Sequence, residues 1–364
     1  MKKIFLKPII WILRFSATTI LRVKKPQIIG ITGSVAKSST KEAIYAVLRQ
    51  KFTSKQVCRS VGNLNTEIGV PLAILGFKTA PPAWFLPIVA IFAFFKVFYL
   101  LIVPFPKILI LEMAADKPGD IKYLTSFIKP QISIVTAIGP AHLETFKSVE
   151  NVAKEKSNIV KVINKVGYAL LNKDDVFVAS MSKITQAKVI FFQPKDYDIA
   201  HSAAKKVGEI FGLSSKEIEE GLKKIVPLSG RMNLQNGKKD SLILSDTYNA
   251  NPLSMSFALH RLAELAKTYQ KKRKIAVLGD MLELGDYFEK GHRQVGKEAS
   301  KIADLVICTG LGGEIIAKTS NGKYFDSKQE LINYLLHIIQ KDDIILLKAS
   351  RKMAFEDITN VLKG

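Results

Sequence analysis

Ile28-Ile29-Gly30-Ile31-Thr32-Gly33-Ser34-Val35-Ala36-Lys37-Ser38-Ser39-Thr40 is the stretch that decides how this chain is read. An apolar run ending at Ile31 gives way to small residues, then to a lysine and hydroxyls, then to the helix-forming segment 41–49. That order describes a strand, a backbone cradle, and a helix whose N-terminal amides and dipole face an anion. Gly33, Ser34, Ala36 and Ser39 would line the cradle. Lys37 would reach the β- and γ-phosphates, and Ser38 would offer its hydroxyl to Mg²⁺. Ala36 stands where the pattern takes glycine, so its methyl either crowds the phosphates or strains the turn. For this stretch alone, a Gly/Ser-rich turn before a helix is the competing reading.

Outward from the loop, apolar runs alternate with helix-forming segments. Strands are expected at 107–111, 132–138 and 167–171, with helices at 119–127 and 149–162. The signal weakens from 172 to 200, where a helix at 176–186 and a short strand at 188–192 are expected, followed by helices at 199–211 and 216–225. Pro227-Leu228-Ser229-Gly230-Arg231 reads as a junction. A second unit follows, with strands at 242–246, 275–279, 305–309 and 344–348 and helices at 253–269, 288–302 and 328–340. Near-continuous apolar strands separated by helices imply an α/β fold: a parallel-sheet, phosphate-loop ATPase domain followed by a smaller Rossmann-like domain. The expected boundaries are a basic segment at 1–25, a central domain at 26–227 with a hydrophobic insertion at 80–106, and a C-terminal domain at 228–364.

The net charge is +22 and unevenly spread: before Glu112 there are 16 Lys/Arg against only Glu42 and Glu67. Such a chain wants an anionic partner. The charge clusters with apolar helices rather than with stacking aromatics, which argues against nucleic acid. Residues 1–25 carry seven basic residues and no acid among many apolar side chains. A secretory signal is the rival reading, but Arg14 interrupts the apolar run and a nucleotide loop follows directly, so an interfacial amphipathic anchor is expected. Residues 83–105 contain Lys96 as their only charge and are long enough to cross a bilayer. A crossing would split the sheet, so a re-entrant or surface-lying helical insertion is expected, broken near Pro87 and packed with the N-terminal helix; a buried hairpin is the alternative. Cys58 and Cys308 stand too far apart in sequence to suggest a disulfide framework or a metal cluster.

Glu112, His142 and Lys156 lie at or just beyond the carboxyl ends of successive expected strands. Together they offer hard-cation ligands opposite a phosphate cradle, which suits a Mg-nucleotide reaction. Singly, His142 reads as a turn histidine and Lys156 as a solvated helix lysine. These residues sit within longer strings: Asn63-Leu64-Asn65-Thr66-Glu67-Ile68-Gly69-Val70-Pro71, Leu111-Glu112-Met113-Ala114, Gly139-Pro140-Ala141-His142-Leu143-Glu144 and Ala153-Lys154-Glu155-Lys156. Gly230-Arg231-Met232, Asp246-Thr247-Tyr248-Asn249-Ala250-Asn251-Pro252, Gly279-Asp280-Met281-Leu282-Glu283-Leu284-Gly285 and Lys348-Ala349-Ser350-Arg351 follow in order.

In these strings the sequence resembles the Mur ligases, and among them the branch that joins D-alanyl-D-alanine to a UDP-muramoyl tripeptide. The resemblance implies an ATP-dependent amide ligase working through an acyl phosphate, with two Mg²⁺ ions. It implies that Lys37, Glu112, His142 and Lys156 are catalytic, that Ser38, Glu112 and His142 are metal ligands, and that Lys156 joins them once carbamylated. Arg231, Asp246, Asn249 and Asn251 would close over the nucleotide, while the roles of Glu283 and Arg351 stay open. The implied partners are the UDP-muramoyl peptide and D-alanyl-D-alanine as substrates and an anionic membrane surface, with no nucleic acid. The expected protein is a monomer in the cytoplasm, at the inner face of the plasma membrane.

Three departures accompany the resemblance. Ala36 and Ala349 replace glycines, and residues 1–25 are too short to form the UDP-binding domain that precedes the loop in the family. The segment 172–200 is short, with Tyr197, Asp198 and His201 where the family has adenine-contacting residues. Two alternatives follow from these: a non-catalytic nucleotide-binding relative, or a ligase for another carboxylate.

Overall fold

The computed structural model describes residues 3–194 and 198–363. Met1 and Lys2 of the expected anchor, and Tyr197 of the expected adenine contacts, lie outside the described residues. The chain divides into two compact units, one of residues 1–138 with 150–225 and the other of residues 139–149 with 226–364.

In chain order the elements begin α1 (Lys3–Lys24), β1 (Gln27–Thr32), α2 (Lys37–Leu48), β2 (Val57–Arg59), α3 (Gly69–Ile74), α4 (Leu86–Ile102), β3 (Ile108–Glu112), α5 (Asp120–Phe127) and β4 (Ile132–Val135). They continue with α6 (Leu143–Phe146), α7 (Val149–Lys156), α8 (Asn158–Lys161), β5 (Tyr168–Asn172), α9 (Val176–Ser180), β6 (Lys188–Phe192), α10 (Ile199–Ile210) and α11 (Ser215–Lys223). The first sheet has the order β2-β3-β1-β4-β5-β6, and every pairing in it is parallel. β1 lies between β3 and β4, so the connections leave it to both sides. The crevice this opens at the carboxyl ends is where such sheets bind ligands.

The strand expected at 132–138 stops at Val135, because the chain beyond it is drawn into the phosphate loop. The Thr136 hydroxyl donates to Val35 O at 2.6 Å, and the Ser34 amide donates to Ala137 O at 2.7 Å. The helix expected over 149–162 is two helices, interrupted where the Ser157 hydroxyl bonds back to Lys154 O at 2.8 Å.

The hydrophobic insertion is a single helix. Pro87 falls in the first turn of α4, where its missing N–H is no loss, so it starts the helix rather than breaking it. Ala83–Ile102 is long and apolar enough to cross a membrane by length and composition. The helix lies between β2 and β3, which pair in parallel (Val57 with Ile108, Arg59 with Ile110), so one crossing would pull the sheet apart. Instead α4 packs on α1. Leu13, Ile20, Leu86, Val89, Ala90 and Ala93 form a shared buried cluster with Leu72 and Leu75. At helical spacing on the other face, Ile88, Phe92, Phe95, Tyr99 and Ile102 are exposed.

The second unit holds β7 (Asn233–Asn236), β8 (Leu242–Ser245), α12 (Pro252–Thr268), β9 (Arg273–Leu278), α13 (Phe288–Ile302) and β10 (Leu305–Thr309). It ends with α14 (Leu311–Ser320), β11 (Lys323–Phe325), α15 (Lys328–Ile338), β12 (Asp343–Lys348) and α16 (Glu356–Leu362). Its sheet runs β11-β10-β9-β12-β8-β7, parallel except for the antiparallel edge strand β7. Apolar clusters cover both of its faces.

Candidate active site

β1 is buried along most of its length and delivers the chain into the loop. Gly33 has φ 150°, and a Cβ there would run into the Thr136 hydroxyl, so only glycine fits. Ala36 is the N-cap of α2 at φ 60°, ψ 4°, in the left-handed region, a placement that costs an L-residue roughly 1–2 kcal/mol. The substitution is therefore accommodated by backbone strain within the loop. The Lys37 ammonium donates to Gly33 O at 2.9 Å, folding back over the cradle.

Below the loop sits a carboxylate. Glu112, at the end of β3 and 2 % exposed, accepts from the Ser38 hydroxyl at 2.7 Å and from the Asn65 carboxamide at 3.0 Å. The Lys41 ammonium lies 3.5 Å from the same carboxylate and 3.8 Å from that of Glu42, which also pairs with Arg59. Lys41 and Asn65 thus belong to the site, although the sequence reading gave them no role. Asn65 sits in a string quoted above, and Lys41 opens the helix-forming segment 41–49, four residues past Lys37 and one turn along the helix.

Lys156 ends α7 and is 2 % exposed. Burial pushes its amine down to about 7, the nearby Lys37 charge pushes the same way, and Asp116, Glu155 and Asp120 oppose. The solvated-lysine reading therefore fails. Its neighbour Glu155 accepts from the amides of Gly119, Ile121 and Lys122, which makes it the cap of α5 rather than a reacting group. Among the described residues no three His, Cys, Asp or Glu side chains form a ready-made metal cage. Mg²⁺ sites often lack one, since the ion takes one or two carboxylates plus substrate phosphates. A hydroxyl and a carboxylate side by side beneath a phosphate loop fit that pattern.

His142 is carried by the second unit. It has φ 53°, caps α6, and donates Nδ1–H to Glu283 at 2.6 Å. That hydrogen bond holds the Glu283 carboxyl below its usual range, and with the proton on Nδ1 the neutral ring keeps a lone pair on Nε2. A carboxylate behind a histidine is the support that metal-binding histidines receive.

In the same unit Arg231 stacks on the Tyr248 ring at 3.8 Å, with Arg351 5.7 Å from the ring centre. Asp246 accepts from the Met232 amide and from the buried Lys348 ammonium, which also donates to Asn249 O at 2.9 Å. The Asn249 side chain accepts from the Ala250 amide, and Asn251 forms a capping box with Ser254 at the start of α12. These contacts shape the loop after β8. The string 279–285 is pinned likewise: Asp280 accepts from Gly312 and Gly313, and buried His292 accepts from the Met281 amide at 2.9 Å. Ala349 is fully buried behind Gly279. Asp198 caps α10 by accepting from the His201 amide at 3.0 Å, with His201 Nδ1 paired to its carboxylate.

Comparison with known proteins gives a consistent picture. The Mur ligase middle domain matches residues 102–237, and the Mur ligase, glutamate ligase domain matches residues 230–351. The UDP-N-acetylmuramoyl-tripeptide–D-alanyl-D-alanine ligase of Haemophilus influenzae is 27 % identical, covering 93 % of this chain and 77 % of its own length. The Bacillus subtilis ligase of the same name is 28 % identical, covering 92 % and 76 %. Among solved structures, MurF from Acinetobacter baumannii superposes with a TM-score of 0.80 at 22 % identity, over 96 % of this chain and 79 % of that one. MurF from Thermotoga maritima in complex with ADP gives 0.78 at 24 %, over 97 % and 83 %.

Proposed function

This chain belongs to the Mur ligase family, and we propose that it joins D-alanyl-D-alanine to a UDP-muramoyl tripeptide at the expense of ATP, in peptidoglycan precursor synthesis. The observation that carries the reading is the 2.7 Å contact between the loop hydroxyl of Ser38 and the buried Glu112 carboxylate, in the unit that also buries the Lys156 amine.

In the proposed reaction an oxygen of the peptide carboxylate attacks the γ-phosphorus and ADP leaves. The amine of D-alanyl-D-alanine then attacks the acyl carbon, inorganic phosphate leaves, and one proton is released. The loop amides and Lys37 hold the transferred phosphoryl group in line, so catalysis is positioning and charge neutralisation. Ser38, Glu112, His142 and carbamylated Lys156 are the proposed Mg²⁺ ligands, and two such ions would neutralise charge on the phosphates. Carbamylation needs a neutral amine: the nitrogen attacks CO₂, loses a proton, and becomes an anionic oxygen ligand. An amine at about 7 is ready for that step, whereas an ordinary lysine is not. Arg231 and Asn249 are proposed nucleotide contacts, with Asp246 and Asn251 shaping their loop.

We place the protein in the cytoplasm against the inner membrane face, on the strength of the exposed apolar face of α4 and the acid-free α1. One observation favours a second reading, a nucleotide-binding protein that does not turn over: Ala36 holds a strained backbone where glycine is normal.

Phosphate release measured with ATP, Mg²⁺, UDP-muramoyl tripeptide and D-alanyl-D-alanine decides between them. Release that requires both peptides is the expected result. ATP binding without release would establish the second reading, and release regained in Ala36→Gly would trace it to the strained loop. Mass analysis of the protein kept in bicarbonate is expected to find one added CO₂, lost in Lys156→Met.

A further inference from the structure

At the amino ends of β1 and β4, the edge of the sheet opposite the phosphate loop, lies a groove of about 870 Å³. It runs between the C-terminal half of α1 and the end of α5. Four basic side chains line it, Arg14, Arg22, Lys25 and Lys129, and among the described residues no acidic one does. The rest of its lining mixes apolar and polar side chains, and three of them are aromatic: Phe127, and Trp11 and Phe15, which stack at 5.5 Å and are exposed by 64 % and 47 %.

Basic residues near helix C-termini often only satisfy carbonyls. Two of the neighbouring lysines do this: Lys129 donates to Thr125 O at 2.7 Å, and Lys24, just outside the groove, donates to Leu101 O and Val103 O at the end of α4. Arg14 lies over the Tyr123 and Phe127 rings, at 5.3 and 5.5 Å. Arg22 and Lys25 are exposed and have no carboxylate partner among the described residues. The groove therefore holds more positive charge than its own structure uses.

Apolar surface leads away from it. Phe15 continues the stack to Phe94 in the middle of α4 at 6.5 Å, and from there α4 runs about 12 Å to either end, at 1.5 Å per residue. A cationic cleft opening onto an apolar track is complementary to one kind of molecule, an anionic amphiphile. A free phosphate would use the charge and leave Trp11 and Phe15 without a function.

We propose that this groove binds the phosphate headgroup of an anionic lipid between Arg22, Lys25 and Lys129, with the acyl chains along Trp11, Phe15 and α4. The inference rests on the membrane-face reading above and gives it a specific lipid chemistry. It makes the attachment selective for charge as well as for apolar surface, with the phosphate loop on the far edge of the same sheet.

The test is flotation of the full chain with vesicles of phosphatidylcholine alone, or of phosphatidylcholine and phosphatidylglycerol in equal parts. Two double variants are compared with the wild type: Arg22→Gln/Lys25→Gln in the groove, and Lys205→Gln/Lys216→Gln on α10 and α11. Exposed glutamines leave the fold intact, which thermal melting checks. The expected result is strong binding to the anionic vesicles, about tenfold or more weaker in the groove variant and little changed in the other. Equal losses in both variants, or none in either, would overturn the groove while leaving membrane attachment in place. Failure of the wild type to bind either vesicle would overturn both. Inorganic phosphate that competes with the vesicles at low millimolar concentration would make the site one for a free anion, and so overturn the lipid assignment.

Discussion

Two lysines, one in each unit, are almost equally buried: Lys156 at 2 % and Lys348 at 1 % exposure. Their surroundings differ in kind. Lys348 meets the Asp246 carboxylate and the Asn249 carbonyl, so its charge is matched where it lies. Lys156 ends a helix near a second cation, and burial with that repulsion brings its amine down to about 7. A matched buried charge holds a loop in place. A mismatched one carries a cost to stability, and such costs are kept where chemistry needs them.

The largest effect that would test this contrast is on stability. Lys348→Met leaves Asp246 buried without its partner and is expected to cost about 3–5 kcal/mol, read by denaturant unfolding. Adding Asp246→Asn should recover part of that loss. Lys156→Met is expected to act oppositely, leaving stability equal or higher while ligase turnover falls about 10²–10³-fold, comparable with removing a charge-stabilising group. Equal destabilisation by the two methionines would break the comparison.

Smaller effects sharpen it. Burial also depresses His292, whose ring accepts from the Met281 amide while Nδ1 bonds Phe288 O at 2.6 Å. The unfolded ring takes up a proton near pH 6.5, but the native ring resists. Stability from this group is thus complete above about pH 6.5 and is lost as pH falls below it. His292→Gln should flatten that slope in melts across pH 5 to 8, the range chosen to bracket the imidazole transition. The smallest effect is expected from Ala36→Gly. Relief of left-handed strain is largely offset by the added freedom of the unfolded chain, for a net gain under about 1 kcal/mol in thermal unfolding.

Much of this was legible in the sequence. The phosphate loop, the parallel strands around it and the helix at Phe288–Ile302 follow from local pattern. Short elements escaped: β2 and β11 have three residues each, and edge strand β7, Asn-Leu-Gln-Asn, carries almost no apolar signal. The helix Leu311–Ser320 was hidden by Gly312 and Gly313, which propensity disfavours. Gly312 is required there because a Cβ would run into the His292 ring, a contact made between residues far apart in the chain. At the site, Lys37, Ser38 and Glu112 could be named from motif and position. Lys41 and Asn65 could not be given roles, because their contacts with Glu112 depend on strand order.

By itself, the sequence determined the alternation that makes two parallel sheets, the loop that cradles phosphate, the uneven positive charge, and the ordered strings that identify the family. Each is encoded within about a dozen neighbouring residues, where periodicity and turn chemistry operate. Only the tertiary structure decided which buried lysine is matched, that residues 139–149 belong with the second unit, and that Arg22 and Lys25 converge with Lys129. Those outcomes turn on desolvation and on partners far apart in the chain. Neither quantity exists until the sheet order β2-β3-β1-β4 brings the distant segments together.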